Sequence, residues 1–256
     1  AWNNIFGFRP SFGRVPFGPT SEVFVQQLGY EGPMGRTVAD VAMLLSVQAG
    51  YDARTPLSID QDPAMFAKPL AKDLKGARIG WLGDFNGYLP TEAGVMDTCT
   101  QALKHFETVG CKVEAVQPDF PVETLWNTWL TMRGFIIAGV VGGLYADPKL
   151  RAMMKPEAVW EVENGLKLSG ADVFRASVSR SAWYQALNAL FQRFDYLVLP
   201  SAQIFPFDAK LDWPKSINGK PMDTYHRWME VVVGGTLAGL PVLNVPAGFG
   251  ANGLPM

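Results

Sequence analysis

The stretch from Ala77 to Val116 constrains the fold more than any other part of the chain. Ala77-Arg78-Ile79-Gly80-Trp81-Leu82 reads as a short strand, and Lys112-Val113-Glu114-Ala115-Val116 reads as a second. Between them, Val95, Cys99, Ala102, Leu103, Phe106 and Val109 recur at helical spacing over 91–109, and Gly110 supplies a stop. A strand, a helix of that length and a further strand close as a right-handed βαβ unit with parallel strands.

The remaining segments extend this alternation. Val38, Val41, Ala42, Leu45 and Ala49 predict an amphipathic helix opened by Thr37, with Asp40 in its first turn and Gly50 beyond its end. Residues 1–33 are rich in Gly and Pro and read as extended or looping backbone, and the 200–221 stretch reads as a loop. In 121–165, Trp126, Trp129, Met132, Phe135 and Ile136 have helical spacing, but Gly134, Gly139, Gly142 and Gly143 argue against a long helix. A helix over 172–194, with Phe174, Val178, Leu187, Leu190, Phe191 and Phe194 as its apolar set, leads into the buried strand Asp195–Pro200. A helix over 224–239 then precedes a strand at Val242–Pro246. The expected architecture is α/β, a three-layer α/β/α sandwich around a mixed, largely parallel sheet in one domain spanning 1–256.

Composition narrows the function by exclusion. The chain has 256 residues, 48% of them hydrophobic and 18% charged, with a net charge of −2. That is a packed globule with no basic block to suggest nucleic acid or an anionic membrane. The apolar run Phe135–Leu144 is too short to span a bilayer. Cys99 and Cys111 are set apart by a helix, which predicts buried, reduced thiols rather than a disulfide and agrees with a cytoplasmic location. His105 and His226 share no metal-binding spacing, Asp84 and Glu92 lack a third ligand, and Gly80-x-x-Gly83 is too loose for a dinucleotide fingerprint. The reading is therefore no metal and no cofactor.

Several segments, in order, resemble the amidase-signature family of serine hydrolases. They are Gly7-Phe8-Arg9-Pro10, Gly32-Pro33-Met34-Gly35-Arg36-Thr37-Val38-Ala39-Asp40, Leu74-Lys75-Gly76-Ala77-Arg78-Ile79-Gly80, Asp195 to Pro200, Leu237-Ala238-Gly239-Leu240-Pro241 with Val245-Pro246-Ala247-Gly248, and Gly253-Leu254-Pro255-Met256. Arg9 stands where lysine is commoner, Asn4 replaces a usual glycine, and Thr236 occupies a position where asparagine is frequent.

The resemblance implies cleavage of an amide through an acyl-enzyme. A serine attacks, a second serine on a cis peptide bond relays the proton, and a neutral lysine acts as base. In the family these groups lie before the position of Ala1, so the resemblance assigns no catalytic residue to this chain. The expectation is that residues 1–256 alone are inactive. The partners it implies are a small-molecule amide and the missing parts of its own amidase domain, with no nucleic acid and no membrane. Open sheet edges and uncovered apolar faces would also invite association, a homodimer included. Two rival functions fit the same segments: the glutamine amidotransferase subunit of a tRNA-amidating complex, and a non-catalytic amidase-like scaffold.

Three residues are expected to touch substrate. Pro200 and Ser201 follow the carboxyl end of a central strand, where open α/β sheets place ligands. Trp129, with Trp126, would offer an apolar wall, although an i, i+3 pair of tryptophans also suits a core. Ser177, Ser179 and Ser181 alternate along a helix and cannot converge on one site. Arg36 and Asp40 read as structural features of a helix start, and Glu31 as solvated.

Overall fold

A computed structural model describes residues 2–256; Ala1, from which the resemblance measures the catalytic loop, lies outside them. Two compact units form, one of residues up to Pro118 together with Ala189–Met256, the other of Asp119–Asn188.

The first unit is built on the βαβ unit. Strand β3 (Arg78–Trp81) lies between β4 (Lys112–Ala115) and β5 (Tyr196–Val198), and both pairings are parallel. Gly80 sits at the crowded centre, where a Cβ would come within 2.7 Å of Leu197 Cδ2 and 3.0 Å of Val116 Cγ1, so those side chains would have to shift to admit one. Helix α2 (Val95–Thr108) crosses from β3 to β4 and buries Val95, Cys99 and Leu103. Cys99 and Cys111 are buried free thiols, and burial pushes the Cys99 pKa up to about 11.

A second sheet joins the expected strand at 242–246 to the segment read as extended or looping backbone. Strand β1 (Phe6–Arg9) pairs antiparallel with both β2 (Met34–Gly35) and β8 (Val242–Asn244). A short hairpin, β6 (Ser216–Ile217) and β7 (Lys220–Pro221), turns through Asn218 and Gly219, both at positive φ as a type I′ turn requires. The strands thus form three separate sheets among the described residues rather than the single sheet expected. Each three-stranded sheet ends on strands paired on one side only, β4 and β5 in the parallel one and β2 and β8 in the antiparallel one. Helix α1 (Val38–Gln48) opens with a reciprocal capping box, Thr37 Oγ1 accepting from Asp40 N–H and Asp40 accepting from Thr37 N–H, each at 3.1 Å. The helix expected over 224–239 is a 3-10 segment, Arg227–Val232, kinked at Met229, followed by the short helix α7 (Val233–Ala238).

The second unit is helical. Helix α3 runs unbroken over Thr124–Ala146, through all four glycines that had argued against it. It is long and apolar enough, by length and composition, to cross a membrane, whereas the Phe135–Leu144 run alone was too short. Its packing is that of a helix pair. Arg133 is ion-paired with the buried carboxylate of Glu161 on α5 (Pro156–Gly165), and Gly134 meets Gly165 backbone to backbone. A short helix α4 (Pro148–Arg151) links the two, capped by Asp147. Helix α6 (Gly170–Phe191) buries Ala176, Trp183, Leu187 and Leu190, while Phe174 and Val178 are exposed. The buried set sits at i, i+7, i+11 and i+14, so Phe174 and Val178 fall on the opposite face from the one expected. Thr128 donates to Ser179 Oγ at 2.8 Å, and Ser181 donates to Ser177 O, so two of the three alternating serines are spent on helix structure.

The α3–α5 crossing yields a paired test. A Cβ on Gly165 would lie 2.1 Å from Gly134 O, whereas one on Gly134 finds ordinary contacts at 3.5 Å or more. Gly165→Ala should lower stability by about 1–3 kcal/mol, and Gly134→Ala should be neutral or stabilise by up to about 1 kcal/mol. Denaturant unfolding of both variants checks this, and equal effects would contradict the close crossing.

Candidate functional site

Because β3, β4 and β5 are parallel, their carboxyl ends share one edge of the sheet. Three loops leave that edge: 82–94 after β3, 116–118 after β4 and 199–207 after β5. Ligands of open α/β sheets bind at such an edge.

The 199–207 loop is fixed from behind. Gln203 is fully buried; its Nε2 donates to Pro90 O at 3.0 Å, and its Oε1 accepts from Val231 N–H at 3.1 Å. Its own carbonyl accepts from Glu92 N–H at 2.8 Å, and the Glu92 carboxylate accepts from Phe205 N–H at 2.9 Å. From the amino-terminal segment, Trp2 Nε1 donates to Ile204 O at 3.0 Å. In front of this lock, Pro200 is buried and Ser201 is half-buried, and Ser201 makes no hydrogen bond among the described residues. Its hydroxyl and backbone groups therefore remain available at the sheet edge.

The 82–94 loop carries backbone strain. Phe85 and Asn86 both adopt φ of 55°, a left-handed conformation that costs about 1–2 kcal/mol for a non-glycine residue. Asp84 steadies the turn by accepting from Gly87 N–H at 2.9 Å, and Glu92 serves the Phe205 backbone; neither carboxylate is arranged as a metal ligand. Among the described residues no three His, Cys, Asp or Glu side chains cluster closely enough to hold a metal.

Beneath the loops lies a buried polar network. Tyr88 donates to Glu230 Oε1 at 2.7 Å, and Arg227 Nε lies 2.7 Å from Glu230 Oε2. Arg227 also approaches Asp223 at 3.5 Å. Burial outweighs these favourable contacts and raises the Glu230 pKa above its ordinary value. His226 is fully buried, with Nδ1 2.8 Å from Thr224 Oγ1.

The Amidase family model matches residues 1–256 from end to end. The chain belongs to the amidase family. Among its relatives, an acylamidase of Rhodococcus erythropolis is 27% identical over 98% of this chain and 52% of its own length. A glutamyl-tRNA(Gln) amidotransferase component from Alcanivorax borkumensis is 27% identical over 100% of this chain and 54% of its own. Among solved structures, a bacterial aryl acylamidase of the amidase-signature enzymes superposes with a TM-score of 0.87 at 28% identity, covering 100% of this chain and 54% of that one. The chain thus spans about half the length of the curated relatives it matches. The likeness carries the α/β amidase-signature fold, although the strands present here lie in separate sheets.

Pro200 and Ser201 lie at the carboxyl edge of the parallel sheet, where ligand was expected. Trp129 belongs to the second unit, where it is buried, stacked on Trp126 at 5.2 Å and covered by the Arg133 guanidinium. Arg36 is exposed and unpaired among the described residues, while Asp40 serves the helix cap. Sequence reasoning missed Trp2 and Gln203. A Trp in the opening Gly/Pro-rich segment and a Gln in an otherwise apolar run were the signals available for them.

Glu230 gives the site a pH signature. Below its unfolded pKa of about 4.5 the carboxyl is neutral folded or unfolded; as pH rises, the unfolded chain ionises first, so this group's stability is lost up to the raised folded pKa. The thermal midpoint of Glu230→Gln relative to the native protein should therefore climb as pH rises above about 4.5. Melting curves across that range check it, and a difference that falls with pH would reverse the assigned cause.

Proposed function

We propose that the intact protein is an amidase that cleaves a small-molecule carboxylic amide through a serine-bound acyl intermediate. The observation that carries this reading is the amidase family match along the whole chain. It is supported by the free polar groups of Ser201 at the carboxyl edge of the parallel sheet, where they would meet the substrate. Pro200 fixes the backbone entering that turn, and the Gln203–Glu92 lock keeps it rigid, as a positioning wall must be.

In this reading residues 1–256 supply one wall of the cleft. The attacking serine, the relaying serine and the lysine base belong to the part of the relatives' length that this chain does not span, so residues 1–256 alone are inactive. The reaction needs no metal and no cofactor, because a lysine made neutral by burial can deprotonate a serine and backbone N–H groups can hold the oxyanion. A single amidase domain in the cytoplasm accommodates this chemistry and the reduced thiols.

A second reading draws on the amidotransferase relatives: a subunit that releases ammonia from glutamine for tRNA-linked amidation. The intact protein should hydrolyse simple amides without a partner subunit, and residues 1–256 alone should show no turnover above buffer. Product release from acetanilide-type and aliphatic amides, and from glutamine, checks both points. Turnover confined to glutamine in the presence of a partner would transfer the assignment to the second reading, and turnover by residues 1–256 alone would remove the serine from the missing part.

A further inference from the structure

Arg9 is a cation without an anion. It stands on the central strand β1, half-buried, and its Nη1 is enclosed with no hydrogen-bond partner. Among the described residues its guanidinium meets one electron-rich group, the Tyr30 ring, whose centroid lies 4.7 Å from Cζ. Burial pulls the Arg9 pKa below its ordinary value, and Tyr30 alone opposes that pull. A ring face compensates a desolvated guanidinium less well than a carboxylate does. The half-buried Arg133 and Arg227, by contrast, each hold one, Glu161 and Glu230 respectively.

The cation lies toward the open side of its sheet. A Cβ on Gly235 would stand 3.2 Å from both Arg9 Nη2 and Val242 Cγ2, so the guanidinium sits over the pair of strands in which Arg9 faces Val242. Beyond β8 the sheet has no further strand among the described residues, and Val242, Leu243 and Val245 are exposed along that margin. A strand added there would run about 4.8 Å from β8, close enough for an acidic side chain on it to meet an arginine directed across Val242. Arg9 stands where lysine is commoner in the family it resembles. Arginine keeps the charge and adds a planar fork that grips a carboxylate through two N–H bonds.

We propose that Arg9 receives a carboxylate side chain from polypeptide of the same protein outside residues 1–256, seated against the open edge of β8. The chain spans about half of its relatives' length, which leaves polypeptide to supply the acid. A dissociable ligand is the poorer occupant, because a charge withdrawn this far from water needs its counter-ion whether or not ligand is bound. The inference concerns how the protein is held together and stands whichever amide it cleaves.

The test is thermal unfolding of the intact protein with Arg9→Met and Arg9→Lys. An unpaired buried cation should be better replaced by methionine, whereas a paired one leaves its carboxylate stranded when removed. Arg9→Met should therefore lower the midpoint by about 5 °C or more at neutral pH. A carboxylate held by Arg9 has a depressed folded pKa, so its contribution is present at neutral pH and lost as pH falls; the deficit should shrink toward about pH 4. No other group near Arg9 mimics this trend. The strands β2 and β8 and helix α7 carry no titratable side chain, Asp40 of α1 serves the helix cap, Glu31 and Arg36 are exposed, and phenols such as Tyr30 ordinarily ionise above this range. Arg9→Lys should show a smaller deficit with the same trend, and carries the test if the methionine variant does not fold. An unchanged or raised midpoint in Arg9→Met, or a deficit independent of pH in either variant, would overturn the proposal. So would a native midpoint that rises in sodium acetate over sodium chloride of equal ionic strength and fails to rise in Arg9→Met, since the site would then take a free carboxylate.

Discussion

The side-chain amide of Gln203 holds the carboxyl edge of the parallel sheet in place. It is fully buried, yet its donor reaches Pro90 O and its acceptor takes Val231 N–H, so its burial is not penalised. Through those two bonds it ties the loop after β3 and the 3-10 segment before α7 to the loop after β5. Glu92 closes the same junction from the other side by serving both Gln203 and Phe205. An apolar residue at 203 would leave a carbonyl and an N–H orphaned inside the core, each costing about 1–3 kcal/mol. Ser201 can keep its own polar groups unpaired because its neighbours at 203–205 have spent theirs.

Rigidity here is matched by strain close by. Phe85 and Asn86 hold consecutive left-handed conformations in the loop that begins where β3 ends. Such backbone persists only where surroundings over-determine it. Tyr88, three residues on, is anchored on Glu230, and Leu89 N–H donates to Asp84 O at 3.0 Å. The polar network and the strained turn are thus two ends of one arrangement that sets the height of the loop above the sheet. The carboxylate of Glu230 sits in it at an energetic disadvantage, which its raised pKa registers.

The parts legible in the sequence were those where one local period decides the outcome. The βαβ unit and the Thr37–Asp40 helix start were of this kind, since Val95, Cys99 and Leu103 repeat with the helix and Thr37 stands three residues before Asp40. Helix α3 was obscured because glycine propensity is a weak term: a Cβ at Gly134 would meet only ordinary contacts and one at Gly139, Gly142 or Gly143 nothing within 4 Å, while the glycine that the crossing needs is Gly165 on α5. The face over 172–194 was half read: Leu187, Leu190 and Phe194 are buried as expected, but Trp183, the most buried residue of α6, was left out of the apolar set and exposed Phe174 and Val178 were counted in. The β6–β7 hairpin was readable, since Asn218-Gly219 is a strong turn signal, but two-residue strands carry no period to draw attention to it. Strand β1 and the Trp2–Ile204 bond depend on partners more than two hundred residues away, and no local pattern encodes those.

Helix α1 shows why these residues look like one side of a larger interior. It is apolar nearly all round, and a helix of that kind is normally buried on every face. Only Val41 and Leu45 are covered, while Met43 is 69% and Val47 79% exposed, and Val38 and Leu44 are open as well. The exposure is not a fraying end, because the capping box fixes the first turn and Ala49 N–H still bonds Leu45 O at 2.9 Å. Strands β5 and β8 present a comparable problem, each leaving one row of backbone donors and acceptors without a ladder. Uncovered apolar helix and unpaired strand edges are two forms of the same deficit, and both occur in a chain that spans about half of its relatives' length. Polypeptide that paired with β5 and β8 and lay across α1 would remove both at once.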